Sequence, residues 1–110
     1  MIDKKTNRIM VIGESWHGSN STGLARGFRS LGHAVELIGS DQFFPKTDGS
    51  FSSKVFRRLA SGFYKHQFNQ HILAQLSIVK PDFVVVFKGN YVQPDTLIEI
   101  KNEGIWLCNF

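Results

Sequence analysis

Residues 8–31, RIMVIGESWHGSNSTGLARGFRSL, restrict the fold more than any other part of the chain. Ile9, Met10, Val11 and Ile12 form a short continuous apolar run closed by Gly13. A run of that kind suits a strand covered on both faces, as in a parallel sheet. Ten residues without apolar periodicity follow, from Glu14 to Gly23, rich in glycine, serine and threonine. Leu24, Ala25, Phe28 and Leu31 then restore helical spacing, and Gly32 is a natural stop. The pattern is strand, long loop, helix. In open α/β sheets a loop at the carboxyl end of the first strand, feeding a helix N-terminus, is where ligands bind.

The rest of the chain repeats the alternation. Ala34, Val35, Glu36, Leu37 and Ile38, closed by Gly39, predict a second strand, with Glu36 marking an edge or a strand end. Residues 40–53 read as a loop of turn formers, from which Phe43 and Phe44 are expected to tuck inward. Residues 54–79 read as helical. Val55, Phe56, Leu59 and Phe63 share one face and Phe68, Ile72 and Leu76 another, so a bend is expected near Ser61 and Gly62. Lys80 before Pro81 ends that helix. Residues 82–87, DFVVVF, are the clearest strand. Lys88, Gly89, Asn90 and Tyr91 form the loop at its carboxyl end. A third helix is expected over 96–103, started by Gln93, Pro94 and Asp95, with Leu97, Ile100 and Ile98 toward the core. Residues 105–110 predict a fourth strand.

The order β-α-β-α-β-α-β predicts an α/β fold: a doubly wound parallel sheet of four strands, Rossmann-like or flavodoxin-like. Spatial order 2-1-3-4 puts the switch point between strands one and three. Right-handed crossovers place the first helix on one face and the other two helices opposite. Nothing then covers strands three and four on the first helix's side. Phe83 or Val84, with Ile105 or Trp106, are expected to face water there, a patch suited to self-association or partner docking.

Bulk properties exclude several classes. The 110 residues make one small domain, with 1–7 a polar, disordered tail lacking an apolar signal core. A net charge of +4 is a weak sign of anionic partners and falls short of a nucleic-acid signature. No apolar run approaches the roughly 20 residues that span a bilayer. One cysteine, Cys108, excludes an internal disulfide framework and favours a reducing, cytoplasmic setting. It is expected to be a core thiol of the fourth strand. His66 and His71 are five apart and do not share a helix face, so no metal site is expected.

Several motifs in fixed order bear a resemblance to one family. They are the Gly-Glu-Ser-Trp-His-Gly-Ser loop after the first strand, the turn Gly32, His33, Ala34, Val35, and Lys80-Pro81-Asp82 before the valine-rich strand. Lys88-Gly89-Asn90 followed by Pro94-Asp95-Thr96-Leu97 completes the set. Together, over residues 8–110, they resemble the N-terminal domain of spore-maturation-type (CgeB-like) glycosyltransferases of the two-domain GT-B class. The resemblance implies half of a GT-B enzyme, supplying acceptor-side groups across a cleft from a nucleotide-sugar donor. It implies no metal or other cofactor. Such a protein would continue beyond Phe110 into a donor-binding domain, so the chain by itself is expected to be inactive.

The candidate site is drawn from two loops. Gly13, Ser15, Gly18, Ser19, Asn20, Ser21 and Thr22 can offer backbone N–H groups and side-chain polar groups to a phosphate or to sugar hydroxyls. Equally, Ser21 or Thr22 can simply cap the helix. Glycines 13, 18 and 23 match neither a Walker loop nor the dinucleotide fingerprint. Glu14 and His17 are candidate general bases toward an acceptor hydroxyl, and Trp16 can stack on a sugar ring. Lys88, Gly89 and Asn90 lie across the switch crevice, where Lys88 suits a phosphate and Asn90 a hydroxyl. Lys54, Arg57, Arg58 and Lys65 are expected on a solvated helix face whose aromatics are core, in preference to an anionic membrane surface. A non-catalytic Rossmann-like module for a phosphorylated or sugar ligand, or for a protein partner, fits the same residues. A phosphoacceptor receiver does not, because Phe87 and Lys88 stand where it needs an aspartate.

Overall fold

The computed structural model describes residues 7–15, 18–44, 49–87 and 91–109. Its elements run β1 (Arg8–Gly13), α1 (Asn20–Ser30), β2 (Ala34–Gly39), α2 (Phe51–Val79), β3 (Phe83–Val86), α3 (Pro94–Asn102) and β4 (Trp106–Asn109). The four strands form one parallel sheet in the order β2-β1-β3-β4. This is the doubly wound, Rossmann-like arrangement expected from the sequence, with the switch point between β1 and β3.

The period of two along β1 divides the core. Met10 and Ile12 point to one face and meet Phe68, Ile72 and Leu76 of α2 and Ile100 of α3. Ile9 and Val11 point to the other face and meet Ala25 and Phe28 of α1. Burying each large apolar side chain of this set contributes about 1.5–3 kcal/mol. β2 is an edge strand, and Glu36 is exposed on it. At the opposite end of the sheet β1 and β3 are tied together. Arg8 N donates to Asp82 Oδ2 (2.8 Å), and Asp82 N donates to Arg8 O (2.8 Å). Asn7 is buried beside them, and its N–H donates to His33 Nδ1 (3.2 Å).

The structure corrects several boundaries. α1 begins at Asn20, capped by Ser19, so neither Ser21 nor Thr22 is the cap. Leu31 stands at the helix's C-cap and is exposed. β3 is shorter than residues 82–87. In α3 the buried residues are Thr96 and Ile100, with Leu97 packed beside them and Ile98 exposed. Helix α2 starts at Phe51, capped by Ser50 Oγ, and ends at Val79. Lys80 leaves the right-handed region before Pro81 by turning left-handed (φ 49°, ψ 63°), while its N–H still bonds Leu76 O.

The largest correction concerns the middle of α2. The helix runs 29 residues without a break at Ser61 or Gly62, a length of about 43 Å at 1.5 Å per residue. Only its second half lies on the sheet. The first half overhangs, and Val55, Phe56, Leu59 and Phe63 are exposed where core positions were expected; Phe51, expected in the preceding loop, is exposed on the same helix. Phe43 and Phe44 do tuck inward. Phe43 packs on Phe68 and His71, and Phe44 is buried against Tyr64 and Tyr91.

The uncovered face of the sheet lies where the crossover rule puts it. Phe83 pairs in register with Trp106, and their rings stack with centroids 6.5 Å apart. Trp106 is 63 % exposed. Val84 is fully buried and Ile105 packs on the opposite core, so Phe83 and Trp106 form the patch. Cys108, two residues on along the same face, is exposed and is not a core thiol.

Candidate functional site

The described residues of the loop after β1 are held at both ends. Ser19 organises its helix end. The Ser19 hydroxyl donates to Glu14 O (2.7 Å), accepts from Thr22 N (3.1 Å) and lies 2.8 Å from Thr22 Oγ1. Gly23 N bonds Ser19 O (3.1 Å), which opens the helical ladder. The N–H groups of Asn20 and Ser21 precede that bond and point out of the helix end. No acidic side chain stands in the first turn of α1, so the positive end of the helix dipole is not neutralised from within it.

Two glycines let the backbone close over this corner. A Cβ on Gly13 would overlap Ser21 Oγ and come within 2.9 Å of Ser21 Cβ, with Phe87 Cβ at 3.3 Å. Gly13 is therefore the point where β1 and the first turn of α1 touch, and Ser21 is buried against it. At the end of β2, a Cβ on Gly39 would overlap Ser15 and reach 2.6 Å from Asp41 Oδ1. The chain of the first loop thus lies directly over Gly39.

Asp41, in a 3-10 turn (Ser40–Gln42), fixes that loop. Its carboxylate accepts from Ser15 N (2.6 Å) and from the Ser15 hydroxyl (3.0 and 3.1 Å to its two oxygens). Ser15 is thereby committed to Asp41, and Gly13 and Ser21 are committed to packing. Glu14 and Thr22 are half-buried at the rim, and Gly18 and Asn20 are exposed. Of the residues singled out in this loop, Glu14, Gly18, Asn20 and Thr22 border open space. Trp16, His17, Lys88, Gly89 and Asn90 lie outside the described residues.

Across the switch point a buried amide sets the second loop. Asn69, in α2, is 2 % exposed and uses both ends of its side chain. Nδ2 donates to Tyr91 O (2.7 Å) and Lys65 O (2.7 Å); Oδ1 accepts from Gln93 N (2.8 Å) and from the Thr96 hydroxyl (2.7 Å). One side chain thus joins α2, the end of the β3–α3 loop and the first turn of α3. Gln93, the N-cap of α3, makes no side-chain cap bond, so Asn69 takes up part of that task. Tyr91 is held further by its ring on Phe44, with centroids 4.4 Å apart.

Sequence reasoning missed Asn69 and Asp41. The signal for Asn69 is a polar residue on the apolar stripe of α2, beside Phe68 and one turn before Ile72. For Asp41 it is a carboxylate just past the second strand, level with the first loop in a parallel sheet. No group of three His, Cys, Asp or Glu able to hold a metal occurs among the described residues. No protein-family model matches the chain, and no curated protein and no solved structure matches it.

Proposed function

We propose that the crevice at the carboxyl ends of β1 and β3 binds a small ligand bearing a phosphate or sugar hydroxyls, and that the chain is the acceptor-side domain of a glycosyltransferase. The observation that carries the ligand reading is the strand order, which makes β1 and β3 neighbours whose following loops lead to helices on opposite faces of the sheet, beside the first turn of α1. Parallel sheets bind ligands at such points because neighbouring loops diverge there and a helix N-terminus faces the gap. Asn20 and Ser21 then offer N–H groups to an anion, with Thr22 at the rim. Glu14 and His17 are the proposed bases for an acceptor hydroxyl.

The glycosyltransferase half of the proposal rests on the ordered motifs over residues 8–110. The open face at Phe83 and Trp106 is compatible with it, since a domain that works as part of a larger unit leaves such surface for another part to cover.

Thermal unfolding against a panel of sugar phosphates, nucleotide sugars and free nucleotides tests the reading. A ligand at about ten times its Kd stabilises the folded state by ~1.4 kcal/mol, or several degrees in Tm. A shift with sugar phosphates and none with nucleotides is expected of an acceptor-side domain. A strong shift with a free nucleotide would replace that reading with a self-sufficient nucleotide-binding module.

A further inference from the structure

The overhanging half of α2 has two unlike faces. Phe51, Val55, Leu59 and Phe63 recur every four residues, and with Phe56 they cover an arc of about 140°. All five are exposed, Phe51 by 84 % and Leu59 by 81 %. Lys54, Arg58 and Lys65 lie along the flank of that arc, continuing the stripe that buries Phe68, Ile72 and Leu76 further along, with Arg57 behind them. From Gly49 to Pro81 the sequence contains no aspartate or glutamate.

The cations converge on one groove. Lys54, Arg57, Arg58 and Ser61 face Phe44 and Tyr91 across an open space of about 500 Å³. Arg57 stands over the Phe44 ring, 6.0 Å from its centroid. Among the described residues the lining holds three positive charges and no negative one.

We infer that residues 51–65 of α2 dock on an anionic lipid surface, the helix lying in the interfacial plane. Helices that do so carry large apolar residues on one side and lysine and arginine on the other. Their apolar side sinks about 5–10 Å into the headgroup–acyl boundary. Phe51, Val55, Phe56, Leu59 and Phe63 meet the acyl boundary, and Arg58 and Lys65 extend from the flank to lipid phosphates.

Charge selects this occupant over the others. A second copy docking through this arc would set the flanking Arg58 and Lys65 of both helices along the rim of the seam, with no carboxylate on the helix to meet them. A nucleic acid would satisfy the cations and leave the phenylalanines in water. Among the described residues no helix is long and apolar enough to cross a membrane, so the contact is with the surface.

Co-sedimentation of the full chain with phosphatidylcholine–phosphatidylglycerol vesicles, against phosphatidylcholine alone, tests this. Binding to the mixed vesicles and little to the neutral ones is expected. Each basic residue near such a surface is worth about a fivefold change in partition, so Arg58→Gln with Lys65→Gln should weaken binding roughly 25-fold. Leu59→Ser with Phe63→Ser should weaken it at least about tenfold by removing buried apolar area. Both pairs are checked for unchanged thermal unfolding; Phe51→Ser, at the far end of the overhang, is the substitute if either unfolds early. Equal binding to both vesicles, no binding to either, or variants that bind like the parent would overturn the inference. So would a dimer in solution that Leu59→Ser dissolves without any vesicle binding.

Discussion

Replacing Asn69 with leucine is expected to remove about 3–5 kcal/mol of folding stability. Urea unfolding measures the loss directly, and the melting temperature should fall by roughly 15 °C. Leucine has the branching and heavy-atom count of asparagine, so the substitution leaves no cavity and the loss comes mainly from the missing polar partners. Lys65 O keeps its helical partner. Tyr91 O, Gln93 N and the Thr96 hydroxyl lose theirs inside a buried corner, and an unsatisfied buried polar group costs about 1–3 kcal/mol. A small α/β domain has about 5–15 kcal/mol in total, so the variant should sit near its folding threshold. A loss under ~1 kcal/mol would mean that the β3–α3 loop is held by other contacts.

Gly13→Ala is the second large effect, with an expected loss of about 3 kcal/mol. The cause is steric, since the new methyl would occupy the space of the Ser21 side chain. Strand β1 and the first turn of α1 would have to separate at a point where Gly13 and Ser21 are both buried. Ser21→Gly removes the opposing atoms. Combined with Gly13→Ala it should recover more than ~1 kcal/mol of the loss, a coupling expected only of residues in direct contact. Strictly additive effects of the two changes would contradict the close approach of strand and helix.

The sheet was legible in the sequence because its signals are local. Ile9 to Ile12 and Val84 to Val86 are short apolar runs whose lengths and bounding residues suit only buried strands. Their alternation with helical segments leaves few parallel topologies. The even spacing of hydrophobic residues in α2 was harder to read, because helical period says which residues share a face and not whether anything stands opposite. Length held the missing information. A six-residue strand spans about 20 Å and a 29-residue helix about 43 Å, so half of α2 must pass the end of the sheet. Gly62 did not break the helix, since one interior glycine costs only ~1 kcal/mol against an otherwise continuous ladder.

Smaller misreadings have similar causes. Cys108 is exposed because Val11, Val85 and Cys108 share a register position on the face that α1 covers at β1 and leaves bare at β4. In α3, nine residues are too few to fix the phase of the core stripe. Thr96 displaced Ile98 from it because its hydroxyl completes the Asn69 cluster. The candidate loop was read as a set of ligand donors. Three of its members, Gly13, Ser15 and Ser21, instead serve the packing and bonding that join β1, α1 and the end of β2. Such roles depend on which residue of β2 or α1 lies opposite, and that pairing is not encoded in the loop itself.

The measurement that bears most directly on the proposed site is an amide-resolved NMR titration of the chain with a sugar phosphate. Saturable shifts centred on Gly18, Asn20, Ser21 and Thr22, at the first turn of α1, are the expected result. Shifts confined to Lys54, Arg57 and Arg58 in the α2 groove, or none at millimolar ligand, would contradict a binding site at the switch point.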